Sequence, residues 1–172
     1  MRILSIACVV LVSLEARGET VVDPALYGFS PKATPAENVA ALQKALNGGN
    51  RTVRIGRGGV YALNDTIYLD DNTVLECGEG VILEKASSYS HVFANRGIYS
   101  YGSNQCITLK NIELRTCSRG APDGPESNAP GTRGHVAFVR VKDVTISGFR
   151  CVDYGNVSQK GGVNNQYCIQ FS

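Results

Sequence analysis

The side chains of this sequence whose types and spacing could do chemistry include adjacent carboxylates, an imidazole among small residues and a cluster of cations. Asp70-Asp71 are adjacent acids, Gly134-His135-Val136 sets an imidazole among small residues, and Arg140-Val141-Lys142 brackets an apolar residue with two cations. Acid–base hydrolysis with inversion needs two carboxyl groups about 6.5–9.5 Å apart on one face. On the repeat described next, the outward rows read Thr108/Arg140/Gln170, Lys110/Lys142/Ser172, Glu113/Thr145 and Arg115/Ser147, and none pairs two acids. Lys110 above Lys142, beside Arg140, is a basic patch able to attract an acidic polymer, although such charges more often form a solvated face.

The elements that must position these residues come from a stretch the chain repeats. Cys106–Cys117 reads CITLKNIELRTC, Phe138–Phe149 reads FVRVKDVTISGF, and Cys168-Ile169-Gln170-Phe171 begins a third copy. Ile107, Leu109, Ile112 and Leu114 align with Val139, Val141, Val144 and Ile146 at an offset of 32, and Ile169 and Phe171 follow after 30. Apolar and polar residues alternate, which is strand periodicity. The alternation slips at Lys110-Asn111 and Lys142-Asp143. Asn and Asp tolerate left-handed backbone, so each slip predicts a bend between two short strands. A strand–bend–strand unit cannot bury its apolar row alone and must stack on copies of itself, ~4.8 Å apart. The expected ladders are Ile107 over Val139 over Ile169, and Leu109 over Val141 over Phe171. An antiparallel sandwich is the competing arrangement.

The remainder of the chain fits many short strands. Of 172 residues 19 are Gly, and Trp is absent. Lys plus Arg is 17 and Asp plus Glu is 15, a balance that argues against nucleic acid as a partner. Residues 1–18 read as a secretory signal, with Arg2, the apolar run Ile3–Leu14 and the small-x-small Ala16-Arg17-Gly18. The run is too short to span a bilayer. The protein is expected to be secreted, periplasmic or at the cell surface. Thr34-Pro35-Ala36-Glu37 predicts a capped helix over about 35–47, stopped by Gly48-Gly49. Laid across the first strands, it covers their bare backbone groups. Strands follow at Thr52–Ile55, Val60–Leu63, Thr66–Leu69, Thr73–Glu76, Val81–Glu84 and His91–Ala94.

Two Gly-, Pro- and Asn-rich segments, Ser118–Gly134 and Tyr154–Gln166, interrupt the repeat and should emerge on one side of the stack. Insertions of this kind often wall a binding groove, which makes Arg133, His135, Asp153, Tyr154 and Lys160 candidate polymer contacts. With Cys8 in the signal, Cys77, Cys106, Cys117, Cys151 and Cys168 remain, an odd count without a metal-site spacing. Most read as buried thiols filling the core. Cys106 and Cys168, ~9.6 Å apart on neighbouring-but-one strands, are too far apart to bridge. Cys117 with Cys151 is the candidate disulfide.

Ala36–Leu46 followed by Thr52–Ile55, Gly59-Val60-Tyr61, Ile67-Tyr68-Leu69, Asn72–Leu75 and Gly80–Leu83 resembles the opening of pectin-lyase-like proteins, closest to the polygalacturonase-type glycoside hydrolases. The resemblance covers roughly residues 20–172. It implies an all-β fold, a right-handed parallel β-helix or solenoid with an N-terminal capping helix, residues 19–172 being the N-terminal part of that domain. Ser172 falls in mid-repeat, which reads as an uncapped, truncated end with the catalytic coils missing. The family's Asn-x-Asp, Asp-Asp, Gly-His-Gly and Arg-x-Lys signatures occur here only as displaced fragments, so no catalytic residue is carried over. The implied function is the N-terminal portion of a secreted polysaccharide-active enzyme, a polygalacturonase-like hydrolase of a pectin-like polymer, with no metal or other cofactor. A polysaccharide lyase, for which calcium is possible, and a non-catalytic tailspike or adhesin are the alternatives.

Overall fold

In the computed structural model of the chain, residues 20–86, 91–116, 135–152 and 168–172 are described. Strand β1 (Val21–Val22) is followed by helix α1 (Pro35–Leu46), then β2 (Arg51–Ile55), β3 (Gly59–Leu63), β4 (Ile67–Leu69), β5 (Thr73–Cys77), β6 (Val81–Lys85) and β7 (Phe93–Asn95). The order continues with β8 (Asn104–Lys110), β9 (Glu113–Thr116), β10 (Val136–Phe138), β11 (Val141–Ser147), β12 (Arg150–Val152) and β13 (Ile169–Phe171). The expected signal segment, residues 1–18, and both inserted segments lie outside the described residues, as does Cys117.

The strands form three parallel sheets, ordered β1-β2-β5-β8-β11, β13-β10-β7-β4 and β12-β9-β6-β3. Inside each sheet the alternation seen in the sequence becomes a ladder of like residues. Val53, Leu75, Leu109 and Ile146 stack in the first, and Tyr61, Leu83, Leu114 and Cys151 in another. Ile67, Phe93, Val136 and Ile169 stack in the third. These rows meet in one core.

Helix α1 belongs to that core. Thr34 caps it: the Glu37 amide donates to Thr34 Oγ1 at 3.3 Å and the Thr34 amide donates to Glu37 Oε2 at 2.8 Å. Ala41, Leu42, Ala45 and Leu46 are buried against the sheets. Two polar residues of the helix bind the edge strands directly. Asn38 Nδ2 donates to the carbonyl of Ala62 on β3 at 3.3 Å. Gln43 Nε2 donates to the carbonyl of Tyr68 on β4 at 3.0 Å, while the Tyr68 amide donates to Gln43 Oε1 at 2.7 Å. These contacts satisfy backbone groups that an edge strand otherwise leaves open.

The architecture corrects the expected fold class. Among the described residues the fold is mixed α/β, three parallel sheets and one core-forming α-helix, in place of an all-β right-handed parallel β-helix closed as a solenoid. The predicted ladders are corrected as well. Ile107 pairs with Val144 and Leu109 with Ile146, an offset of 37, while Val139 lies outside the strands. Ile169 pairs with Val136 and Phe171 with Phe138.

The physical origin of the shift is a column of left-handed residues. Arg51, Thr73, Ile107 and Val144 are mutual partners in the first sheet. The residues just before them, Asn50, Asn72, Cys106 and Asp143, have φ of 51°, 52°, 56° and 59°. Asp143 therefore takes the left-handed conformation expected of it, but its counterpart is Cys106. The counterpart of Asn111 (φ 55°) is Gly148 (φ 62°), whose Cα faces Asn111 so closely that a Cβ would lie 2.4 Å from its Oδ1. Cys106 is consequently exposed at the corner, contrary to a core role, whereas Cys77 is buried and Cys151 and Cys168 are half-buried.

Two stability measurements check this account. Leu42→Ala should lower unfolding free energy by about 2–5 kcal/mol in a urea titration, because the helix is core; a change below ~0.5 kcal/mol would make it an accessory. Cys106→Asn should raise stability by up to ~1 kcal/mol, since Asn takes the left-handed conformation more easily.

Candidate functional site

The sequence-predicted contacts fare differently. His135 precedes β10 and is only 1 % exposed. Its carbonyl accepts the amides of Val92 at 2.7 Å and Phe93 at 3.0 Å. Burial, with the nearby Lys85 charge, pulls its imidazole down to about 4, so it is neutral and faces inward rather than toward a surface polymer. Arg133, Asp153, Tyr154 and Lys160 lie outside the described residues.

The basic patch is not formed as expected. Lys142 pairs with Gln105 and Lys110 with Ser147, so the two lysines do not stack. The outward rows become Thr108/Thr145, Lys110/Ser147, Glu113/Arg150 and Arg115/Val152. Carboxylates of these faces are bound by guanidiniums: Glu76 by Arg54 at 3.0 Å, Glu84 by Arg115 at 2.7 Å and Glu113 by Arg150 at 3.2 Å. Asp70 and Asp71 serve the scaffold. Asp70 accepts from Arg96 at 3.0 Å and from the Gly48 amide at 3.0 Å. Asp71 Oδ1 accepts from Asn104 Nδ2 at 2.8 Å and from the Gln105 amide at 3.0 Å.

What the fold does assemble is a surface corner of aromatic rings and guanidiniums. A short 3-10 turn, Arg96–Tyr99, leads from β7 toward β8. It leaves Tyr99 71 % and Tyr101 90 % exposed. Arg140 lies with its guanidinium carbon 5.3 Å from the Tyr101 ring centre, a cation–π arrangement. Arg140 also reaches the carbonyls of Gly102 at 3.4 Å and Gly97 at 3.5 Å. Arg96 lies 5.4 Å from the ring centre of Tyr68. Tyr68 is tucked beneath, its phenol pushed up first by burial and then by neighbouring Tyr99.

A buried amide holds the corner together. Asn95, the last residue of β7, is fully buried. Its Nδ2 donates to the Val139 carbonyl at 3.0 Å and to Asn104 Oδ1 at 3.1 Å, and its Oδ1 accepts the Val139 amide at 2.9 Å. Asn104 Oδ1 also accepts the Gly97 amide at 2.8 Å. One side chain thus ties the Tyr99–Tyr101 turn to the segment carrying Arg140.

Both Tyr101 (φ 55°) and Arg140 (φ 53°) are left-handed, a costly conformation for bulky residues. Strain of this kind persists where surrounding bonds over-determine it, and here those bonds are the asparagine network.

Chemically, Tyr101 offers an exposed flat apolar face with a polar hydroxyl. Among the described residues Arg140 has no carboxylate in ion-pair range; its Nε and Nη2 serve the Gly102 and Gly97 carbonyls, and the end of the guanidinium at Nη1 is left for an external carboxylate or phosphate. Sequence reasoning placed Arg140 on an outward row but missed Tyr99, Tyr101 and Arg96. The available signal was the run Tyr99-Ser100-Tyr101-Gly102-Ser103, two aromatics in a stretch of turn residues.

Asn95→Ala should expose the cost of stranding Val139's partly buried amide and carbonyl, up to about 1–3 kcal/mol for each. Denaturant unfolding measures it, and an unchanged midpoint would remove Asn95 from its central role.

No helix among the described residues is long and apolar enough to cross a membrane. No protein-family model matches the chain, and neither a curated protein nor a solved structure shows significant similarity to it.

Proposed function

We propose that this chain is part of an exported, polysaccharide-active protein that holds an acidic, pectin-like polymer at the Tyr99, Tyr101 and Arg140 corner. The observation that carries the reading is the exposed Tyr101 ring with the Arg140 guanidinium 5.3 Å above it. A sugar ring stacks its C–H face on a tyrosine, while a uronate carboxylate accepts two parallel hydrogen bonds from a guanidinium. The polygalacturonase-type resemblance supports the same substrate class. In a hydrolase of this kind one acid protonates the leaving oxygen while a second activates water.

A second reading has its own support. The outward carboxylates Glu76, Glu84 and Glu113 are each engaged by an arginine, which suits a carbohydrate-binding module such as a tailspike or adhesin better than acid–base catalysis on these faces. A polysaccharide lyase, using a basic residue to abstract the proton beside a uronate carboxyl, is distinguished by an unsaturated, ultraviolet-absorbing product.

Affinity electrophoresis on polygalacturonate and on a neutral glucan tests the proposal. Retardation is expected on polygalacturonate alone and should weaken as salt rises. Tyr101→Ala and Arg140→Gln should each weaken it about tenfold, equivalent to ~1.4 kcal/mol. Equal behaviour on both polymers, or unchanged binding in both variants, overturns it. A reducing-end assay on the same polymer separates hydrolase from binding module.

A further inference from the structure

A different group of side chains converges between two of the sheets. His135 precedes β10, Cys168 precedes β13 and Cys151 sits in the middle of β12. One ligand atom from each lies within 4.8 Å of the other two. Their backbones are pinned independently. The Val136 amide donates to the Cys168 carbonyl at 3.0 Å, and Cys151 pairs with Leu114 on β9. Cys151 points inward, on the ladder of Tyr61, Leu83 and Leu114, while His135 is buried and Cys168 half-buried. Buried Lys85, at the end of β6, is close enough for its charge to act on both His135 and Cys151.

An imidazole and two sulfurs are the ligand set of a thiophilic, four-coordinate ion. In tetrahedral zinc sites the Zn–S distance is ~2.3 Å and Zn–N is ~2.0–2.1 Å, which puts neighbouring ligand atoms roughly 3.4–3.8 Å apart. The three ligand atoms, within 4.8 Å of one another, are about 1 Å from that spacing.

We propose that His135, Cys151 and Cys168 form a three-ligand zinc site that joins the β10/β13 edge of one sheet to β12 of another. On binding, each thiol gives its proton to solvent, and the two thiolates cancel the charge of the ion. The fourth position is left to water or an exchangeable ligand, as in zinc sites with three protein ligands. This site is independent of the tyrosine corner.

Cobalt(II) and zinc(II) titration of the reduced chain under anaerobic conditions tests the proposal. The expected result is one equivalent of cobalt producing thiolate-to-metal charge-transfer and tetrahedral d–d bands, displaced by zinc, with zinc raising the Tm. Cys168→Ser and His135→Gln should lose or shift those bands, while Cys106→Asn, at the exposed corner, should keep them. Because loss of a ligand can also unfold the chain, the wild-type Tm shift and band shape decide independently. No cobalt bands in the folded reduced protein, or bands unchanged in Cys168→Ser, overturn the site. So does a Cys151–Cys168 disulfide whose reduction yields thiols that bind neither ion.

Discussion

The constraint on which this molecule depends is the hydrogen-bonding demand of its first edge strands. Parallel strands stacked in sheets leave a row of amides and carbonyls open at the end of the stack. Two of those edges, β3 and β4, are met by side chains of α1 rather than by another strand: Asn38 reaches Ala62, and Gln43 makes a two-way exchange with Tyr68. The third sheet is met by β1, whose Val21 and Val22 pair with Thr52 and Val53 on β2. Once these are satisfied, Leu42 and Leu46 enter the same core as the strand ladders. The helix therefore contributes both apolar burial and backbone satisfaction, which is why the fold is mixed and not all-β.

The corners carry a second requirement, a turn of the chain from one sheet to the next. A column of left-handed residues, Asn50, Asn72, Cys106 and Asp143, meets it at the entry to the first sheet. Asn50 and Asn72 also bond to each other, Asn72 Nδ2 donating to Asn50 Oδ1 at 2.9 Å. Cys106 is the member least suited to that conformation. Its thiol is exposed, so its position follows from the register of β8 and not from any packing role.

Polar groups inside the stack divide into two kinds. Asn95 is structural, its amide spent on Val139 and Asn104 so that a strained turn keeps one shape. A rigid turn presents Tyr101 and Arg140 together, and preorganised groups bind with less entropy lost. His135, Cys151 and Cys168 are of the other kind, groups with metal-binding chemistry brought together by three chain segments far apart in sequence. No spacing rule joins residues 16 and 17 positions apart into a ligand set; only the packing of the β10/β13 sheet edge against β12 of another sheet does.

Much of the local structure was legible in the residues alone. Thr34, Pro35 and Glu37 specify a helix start because their bonds are made within four residues. The strands from Arg51 to Asn95 are marked by alternation and turn residues, which report backbone periodicity directly. Register was not legible. Cys106–Cys117 and Phe138–Phe149 match at an offset of 32 because alternating patterns match themselves at many shifts, whereas the strands pair at 37. The choice between shifts rests on backbone conformation at the corner, where Cys106 stands in a column otherwise filled by Asn and Asp. Tertiary structure alone decided which cations face rings, which acids are neutralised and which thiols meet an imidazole, because each depends on pairing across strands 22 to 43 residues apart.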